Sequence, residues 1–466
     1  MKRIFWVGFV VFFLSGCARF QARPLSSGKN LEAFEGRTLN DPELRAFLQE
    51  NRPKGEWPPK SWVLMSLTLV AFHYHPDLEE ARAALEVAKG AIMTAAQRPN
   101  PTASVTPTFN STTPRTAPIS PWIVGFDLDI PIETAGKRGY RMAQAQRLSE
   151  AARLKIATTA WQVRSRVRRS LLDLYAATET ETLLKTQRAI LEDSARLMKL
   201  QLDAGAVSPF EVSQANIALA TTRLALDDAA KRGAEARAVL ADSLGLPVKA
   251  LDGVSISFDA FKKMPAEIPM PEVRREALLN RADILSALAE YEAAQAALQL
   301  EIAKQYPDIH LNPGYEYDQS EHKWGVGLSL ELPILNQNRG PIAEAEAKRL
   351  EAAAKFNTLQ ARVIGDIALA VASYGAALQK SKTATELVEN LKKRKEAAMA
   401  MFQAGEIPRL EVATTQIELQ TNELALLNAR VEAQQSLGLL EDAMQRPIEE
   451  FDWQSKIPLK ALEQRK

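Results

Sequence analysis

The chain has 466 residues, of which 46% are hydrophobic and 25% charged. These fractions are typical of folded globular proteins and exclude disordered and collagen-like chains. Lysine and arginine number 58 against 57 for aspartate and glutamate, a formal net charge of +1, so no overall basic field is present to bind nucleic acid. The single cysteine excludes an internal disulfide and any zinc site with two thiolates.

The first residues have the order of a bacterial secretory signal. Two basic residues precede the apolar run Ile4 to Leu14, which is too short to cross a bilayer as a mature helix. The run ends in Leu-Ser-Gly-Cys, which resembles the lipobox of bacterial lipoproteins. We expect a cleaved signal over residues 1–16 and a lipid anchor on Cys17; the alternative is an ordinary signal with an incidental cysteine. Ala18 in place of aspartate favours, by the same resemblance, the outer membrane.

The second half of the chain repeats the first at an offset of about 200 residues. Phe210-Glu211-Val212 recurs as Leu410-Glu411-Val412, and Pro101 and Pro131 recur as Pro307 and Pro333. So many matches in one order indicate an internal duplication. The repeats are assigned to residues 75–247 and 281–447, with an extension (17–74), a linker (248–280) and a tail (448–466) outside them.

Each repeat begins with a helix that ends at prolines. Residues 77–97 and 282–304 are rich in alanine, glutamate and leucine and contain no proline, which predicts helices. Alternating apolar and polar residues then predict a β-hairpin over residues 102–132 in the first repeat and 308–333 in the second. Each repeat therefore contributes two strands.

The strands have the length and pattern of a membrane barrel. About nine residues of tilted strand cross a bilayer core, and Trp122, Tyr315 and Trp324 are aromatic residues at strand ends, as in an interfacial girdle. No later segment has the roughly 18 uninterrupted apolar residues of a membrane-spanning helix. Because membrane barrels need about eight strands, several copies must share one barrel. The alternative is a water-soluble hairpin that lies on a helical core.

Two long helices follow each hairpin. They are predicted over residues 135–203 and 209–244, and again over 341–403 and 408–443. Heptad rows such as Leu183-Ile190-Leu197 predict coiled-coil hairpins. The shorter helix has apolar rows that begin at Phe210 and Val212, on nearly opposite sides, so it needs a neighbour on each side. Its remaining faces are polar, which favours a helix in the wall of a tube over a helix buried in a solid bundle.

The ordered elements and three segments resemble the TolC-like outer-membrane efflux proteins, the outer membrane factors. The segments are Arg98-Pro99-Asn100-Pro101, the run Asp129 to Gly139 and the run Leu332 to Gly340. The resemblance covers the chain from about residue 61. The sequence Ile-Glu-Thr-Ala-Gly-Lys-Arg-Gly and the lipobox look most like the CzcC- and CusC-type lipoprotein channels of RND efflux systems.

This resemblance implies a mainly α fold with a small β part. It implies a homotrimer with a shared twelve-stranded barrel in the outer membrane, a helical tube across the periplasm and an equatorial belt that includes a helix before residue 75. It also implies a passive export duct that docks to a periplasmic adaptor and an inner-membrane pump of the RND type, with heavy-metal cations as cargo. Drug or small-molecule export and type I secretion are alternatives, and a non-conducting periplasmic coiled-coil scaffold lipoprotein is an alternative of another class.

The same resemblance places candidate gate residues near the hairpin tips. Glu411 falls at an acidic ring that narrows the inner end of the tube, and Glu211 occupies the matching place in the first repeat. The alternative for Glu411 is a solvated carboxylate in a first helical turn, where the helix dipole favours it. Ile407 and Thr414 occupy the family's tip arginine and second acidic positions, so a salt-bridge lock of the family's form is not expected.

The two tip segments resemble the surface that contacts the adaptor. They are Gly205-Ala206-Val207-Ser208 and Gly405-Glu406-Ile407-Pro408. Their glycines also suit a plain structural role, ending a helix with a positive φ angle.

Sequence motifs of enzymes and cofactor sites are missing from the chain. It has no Gly-Lys-Ser/Thr loop, no His-Glu-x-x-His and no pairing of cysteine with histidine. The four histidines include His73 and His75 at a predicted helix boundary, where capping is more common than metal binding. We therefore expect neither catalysis, nor a cofactor, nor a metal site.

Overall fold

The computed structural model describes residues 20–51, 57–113, 119–265 and 270–448. Cys17, the predicted signal and the tail after residue 448 lie outside the described residues. Within the described ranges the chain is mainly helical and contains one four-stranded sheet.

The described residues of the N-terminal extension form three helices. They are α1 (Ser27–Glu35), α2 (Pro42–Asn51) and α3 (Leu64–Tyr74), and α4 (Pro76–Ala96) follows as the first helix of the first repeat. Ser26 caps α1 and Pro42 is the first residue of α2, so local turn chemistry divides the extension. A backbone bridge between Trp62 and Ile256 joins the extension to the linker between the repeats.

The two hairpins form one antiparallel sheet. Its strands are β1 (Thr102–Phe109), β2 (Trp122–Ile132), β3 (Ile309–Asp318) and β4 (Glu321–Leu330), in the order β1-β2-β3-β4. The central pair β2–β3 joins the two repeats, and in the described chain β1 and β4 are edges with one neighbour each. The backbone groups along these edges are available for pairing with another strand.

Four further helices lie between β2 and β3 in the chain, and two follow β4. They are α5 (Lys137–Asp203), α6 (Pro209–Leu244), α7 (Met270–Asn280), α8 (Ala282–Ala303), α9 (Arg339–Gln403) and α10 (Arg409–Met444). The 67 residues of α5 extend about 100 Å at ~1.5 Å per residue. It begins two residues after the predicted start, because Ala135 and Gly136 have φ angles of 54° and 72° and are not helical.

The helices pack side by side in a fixed order. On the side of the hairpin tips, the order is α6, α5, α10, α9. Nearer the sheet, α4 packs on α5, and α8 lies between α5 and α9. The largest core surrounds the middle of α5, where α3, α4 and α6 meet it. Its fully buried members include Leu67, Leu78, Ile156, Val163, Val167, Leu171 and Leu240.

Within the described ranges, one helix is long and apolar enough to cross a membrane by length and composition alone. An 18-residue window of α9 has a mean hydropathy of 1.4, and 28% of that window is buried in the chain. Val363 and Ile367 of α9 are buried with Ala443 of α10 and Ile284 of α8. We therefore assign the apolar surface of α9 to packing between helices.

Candidate functional site

The sheet has one apolar and one polar face. Cross-strand pairing places Phe126 opposite Tyr315 and Tyr315 opposite Trp324, so these three rings share a face. The ring centroids of Tyr315 and Trp324 are 4.7 Å apart, and those of Phe109 and Trp122 on the same face are 5.1 Å apart. Most apolar side chains of this face are exposed in the single chain, with Trp324 at 81%, as suits a surface that meets lipid.

The opposite face carries charged and amide side chains. His310 Nδ1 lies 2.9 Å from Asp129 Oδ1, and Lys323 pairs with Asp318. Asp127 lies opposite Gly314, and its carboxylate occupies the space that a side chain at Gly314 would fill. Within the described residues, no group of three or more His, Cys, Asp or Glu side chains is arranged to hold a metal ion.

The corner between β2 and α5 ties the sheet to the helices. Lys137 is buried, and its Nζ donates to the backbone oxygen of Tyr306 at 2.7 Å and to Asp308 Oδ1 at 2.8 Å. Arg138 donates to the backbone oxygen of Ala96, and Arg141 binds the same end of α4. Arg138 thus binds a carbonyl at the C-terminal end of α4, where cations are favoured, and Lys137 binds the segment that follows α8.

Both hairpin tips have the same backbone design. After α5, Gly205 has a φ of 75° and Ala206 N donates to Gln201 O at 2.8 Å; after α9, Gly405 has a φ of 79° and Glu406 N donates to Met401 O at 2.9 Å. This is the Schellman termination, which needs a residue with positive φ. The tip residues expected to contact the adaptor are exposed, apart from the half-buried Val207 and Ile407. The exposed tip residues are Gly205, Ala206, Ser208, Gly405, Glu406 and Pro408.

The two gate candidates have different surroundings. The carboxylate of Glu211 accepts hydrogen bonds from Ser208 N at 2.7 Å and Ser208 Oγ at 2.9 Å, which completes a capping box. These hydrogen bonds lower the pKa of Glu211. Glu411 is exposed in the first turn of α10, and no described residue donates a hydrogen bond to its carboxylate. Glu211 is therefore committed to helix capping, whereas the carboxylate of Glu411 remains open.

A salt bridge joins the tips of the two hairpins, which the sequence had not suggested. Arg409, the first residue of α10, places Nη2 2.8 Å from Asp193 Oδ2 on α5. Asp193 also pairs with Arg196, and the two arginines lower its pKa, with Arg196 the larger cause. Below this pair, Leu197, Leu200 and Ala204 of the first hairpin face Pro408 and Leu410 of the second across a shallow groove. Ile407 occupies the family's tip arginine position, and Arg409 lies two residues beyond it. In this chain an arginine therefore joins the tips from a position two residues later.

Comparison with known proteins adds to this geometry. The family model described as outer membrane efflux protein matches residues 71–246 and 273–444. The cobalt-zinc-cadmium resistance protein CzcC of Cupriavidus metallidurans is 26% identical over 345 residues, 73% of this chain and 79% of that protein. The pyoverdine export outer membrane protein OpmQ of Pseudomonas aeruginosa is 27% identical over 190 residues, which cover 39% of this chain and 40% of that protein.

Solved structures share the fold. CusC superposes with a TM-score of 0.65 at 20% identity, over 82% of this chain and 91% of that one. The outer membrane protein VceC of Vibrio cholerae gives a TM-score of 0.67 at 20% identity, over 82% and 96% of the two chains. The expected TolC-like, mainly α fold with an internal duplication is confirmed. The chain is an outer-membrane protein and belongs to the outer membrane efflux protein family, a family of efflux channels and not of enzymes.

Proposed function

We propose that three copies of this chain form the exit duct of a tripartite efflux assembly. The observation that carries the proposal is the four-stranded sheet, which is apolar and aromatic on one face, charged on the other, and open at both edges. Four strands are too few to close a barrel, and three copies supply twelve. The polar face then lines a lumen that continues into a tube built from α5, α6, α9 and α10.

The exposed tips are the proposed docking surface for a periplasmic adaptor. Each tip is a short, rigid turn at the end of a helix pair of about 50 Å or more, by ~1.5 Å per residue over the 36 residues of α6 or α10. Such tips suit contact with the helical hairpins of a partner. An inner-membrane pump of the RND type would then energise transport, and this chain would remain passive.

Heavy-metal cations are the proposed cargo. Two features support this cargo: the carboxylates of Asp127, Asp129 and Glu316 on the polar face, and the likeness to a cobalt-zinc-cadmium resistance protein. Fixed carboxylates in a pore attract cations and repel anions. The likeness to a pyoverdine export protein, over 39% of this chain, favours an organic cargo as the second candidate.

Glu411 is the proposed gate residue, and Cys17 the proposed lipid anchor. In a trimer the three exposed Glu411 carboxylates can lie around one axis, where they would attract cations and repel one another. Cys17 lies outside the described residues, and its assignment rests on the lipobox. A lipid on Cys17 would hold the chain to the membrane in which the barrel lies.

The proposal is tested first by size and conductance. Light scattering of the purified protein in detergent should give the mass of three chains, and planar bilayers should show cation-selective openings. The matched control is a Cys17→Ser variant, which loses the lipid but keeps the sheet. A water-soluble monomer formed by this variant would contradict the barrel, because an apolar face with Trp324 81% exposed needs lipid.

The cargo is tested by export. A host that lacks its own metal efflux channel, supplied with this chain and a matching adaptor and pump, should regain growth on cobalt, zinc and cadmium. Restored siderophore secretion without metal resistance would contradict the metal cargo and leave the duct in place.

A further inference from the structure

The end of the sheet next to the turn between β3 and β4 carries four charged side chains on one face. Beside the turn, Asp318 of β3 pairs with Glu321 of β4. Two residues farther from the turn, Glu316 of β3 pairs with Lys323 of β4. Because alternate residues of a strand share a face, all four side chains lie on the polar face of the sheet. We call these four residues the charged block; it holds three carboxylates and one ammonium group.

The ammonium group of the charged block lies among its carboxylates. Lys323 Nζ binds the carboxylate of Asp318 diagonally across the strand pair and lies 3.9 Å from Glu321 Oε2. Glu316 is the direct cross-strand neighbour of Lys323. In the four described strands, Lys323 is the only lysine or arginine. The one fixed cation of the sheet therefore occupies the place in which three carboxylates could bind a free cation.

Contacts that do not involve Lys323 hold the charged block in position. Gln319 and Ser320 form the turn with φ angles of 49° and 84°, and positive φ angles are typical of the short turns that fix hairpin register. The side-chain amide of Gln319 donates to Thr113 Oγ1 at 3.2 Å. On the opposite face, Tyr315 Oη and His322 Nδ1 share a hydrogen bond of 2.6 Å. The carboxylates should therefore stay together when the lysine is replaced.

A group of three carboxylates without a cation would attract divalent metal ions. Carboxylate oxygens are the ligands that hard cations such as Ca²⁺ prefer. Neighbouring carboxylates also repel one another, and a bound cation relieves that repulsion. In this chain a side chain supplies the cation. A metal ion would have to displace the ammonium group of Lys323, which remains attached to its strand and repels the ion at short range.

We propose that Lys323 is a built-in counter-ion that keeps the outer end of the duct from retaining divalent cations. This inference rests on the proposed function, in which the polar face lines the lumen and cations pass along it. The ten residues of β3 extend about 30 Å from the corner with the helices, so the charged block would lie on the last part of the path. A conducting pore must attract its ions and also release them. With one ammonium group and three carboxylates, Lys323 provides for that release.

Calorimetric titration with CaCl₂ tests the inference on the full-length protein in detergent. Lys323→Gln should bind Ca²⁺ at least about tenfold more tightly than the unmodified protein, because a repelling charge has been removed from among the carboxylates. The variant should keep the fold, since the side chain of Lys323 is 48% accessible and an exposed ion pair contributes little to stability. Equal Ca²⁺ affinities of the two proteins would overturn the inference.

Three further variants separate the charged block from other effects of charge. Lys323→Arg keeps a cation among the carboxylates and should bind Ca²⁺ as weakly as the unmodified protein. Lys323→Gln combined with Asp318→Asn removes one carboxylate as well, so the gain in affinity should be lost. Lys348→Gln is the matched control outside the sheet, because Lys348 binds Glu344 on α9 at 2.6 Å. A gain in Ca²⁺ affinity in Lys348→Gln equal to that in Lys323→Gln would overturn the inference.

Single-channel recordings place the effect in the duct. Ca²⁺ added to a planar bilayer should reduce the current of Lys323→Gln several-fold more than that of the unmodified protein, because the ion stays longer in the lumen. Openings that Ca²⁺ reduces equally in the two proteins would overturn the inference and leave the proposed function standing. Absence of openings in the unmodified protein would contradict the proposed function and, with it, the role of Lys323 in the duct.

Discussion

Each repeat has a joint, the residue just before its first helix: His75 in the first repeat and Arg281 in the second. The two joints occupy equivalent positions but differ in chemistry. His75 precedes α4, is 5% exposed, and accepts a hydrogen bond from Asp77 N through Nδ1 at 3.3 Å. Arg281 precedes α8 in the equivalent place, is 9% exposed, and binds Asp283 with two nitrogens. The first joint thus contains a histidine, which can change its charge with pH, and the second contains a permanent cation.

The second joint is also tied to the end of its own repeat. Arg281 Nη1 donates to the backbone oxygens of Asp442 and Ala443, at the C-terminal end of α10. In the first repeat, the end of α6 is bound instead by Arg37 of the N-terminal extension, which donates to Gly245 O at 2.8 Å. The duplication therefore preserved the backbone path, while the groups that fasten it changed and came to include the extension.

Removal of the permanent cation should have the largest effect. We expect Arg281→Met to lower the free energy of unfolding by about 3 kcal/mol, because it leaves the partly buried Asp283 carboxylate and two backbone oxygens without their donor. Urea unfolding of the protein in detergent, followed by tryptophan fluorescence, measures the loss. Arg281→Lys is the control and should lose less, since it keeps the charge. A loss below about 0.5 kcal/mol for Arg281→Met would contradict this account.

The titrating joint should make stability depend on pH. Burial, and then the charge of Arg166, lower the pKa of His75, while Asp77 and Asp242 oppose the shift. The folded chain therefore binds fewer protons at His75 than the unfolded chain does. Stability should fall as pH drops below about 6.5, until the lowered pKa is passed, with a slope of at most ~1.4 kcal/mol per pH unit for each chain.

Replacement of His75 should remove that dependence. In His75→Gln the side-chain amide oxygen can still accept from Asp77 N, and no proton is taken up. The difference in unfolding free energy between pH 7 and pH 5 should therefore shrink relative to the unmodified protein. An unchanged difference would assign the acid sensitivity to other groups.

The two tip glutamates allow a matched comparison of function. Glu411→Gln should lower the cation selectivity of single channels, because it removes an exposed carboxylate, to which no described residue donates a hydrogen bond, from each copy of the proposed trimer. Glu211→Gln should change selectivity less, because hydrogen bonds from Ser208 hold that carboxylate against the start of α6 instead of leaving it open to the axis. Reversal potentials in a salt gradient measure both variants. Equal shifts of the reversal potential in the two variants would contradict the assignment of Glu211 to helix capping and of Glu411 to the gate.

Much of the fold could be predicted because its signals are local. Proline and glycine positions, the period of two and the heptads depend on neighbours in the chain, and they place α6 and the Schellman tips. The Ser208-x-x-Glu211 capping box was also readable as Ser-x-x-Glu before an apolar helix, yet Glu211 was interpreted as a gate candidate. The capping signal was present in the sequence, but the equivalence of Glu211 with Glu411 in the duplication favoured the gate interpretation.

The contacts that fasten the molecule could not be predicted, because their partners are distant in sequence. Lys137 reaches Asp308, and Arg168 lies against Gln434 and Glu441, across the boundary between the repeats. Gly438 of α10 leaves the space that the Arg168 side chain occupies. No periodicity reports such a pairing, since it depends on which helices become neighbours.

The salt bridge at the tips was missed for the same reason, and it should have the smallest effect. The side chain of Arg409 is 59% accessible and that of Asp193 is 28% accessible, so water still screens their attraction. A double-mutant cycle of Arg409→Ala and Asp193→Asn on urea unfolding should give a coupling below about 1 kcal/mol.

The effect of the Arg409–Asp193 salt bridge on channel opening should be specific to the tips. Because the pair joins the two hairpins, Arg409→Ala should raise the open fraction of single channels modestly, and Arg394→Ala should not. Arg394 binds Glu418 at 2.9 Å within the second hairpin alone, which makes it a matched control. Equal open fractions for the two variants would show that an ion pair across the hairpins holds the tips no more firmly than one within a hairpin.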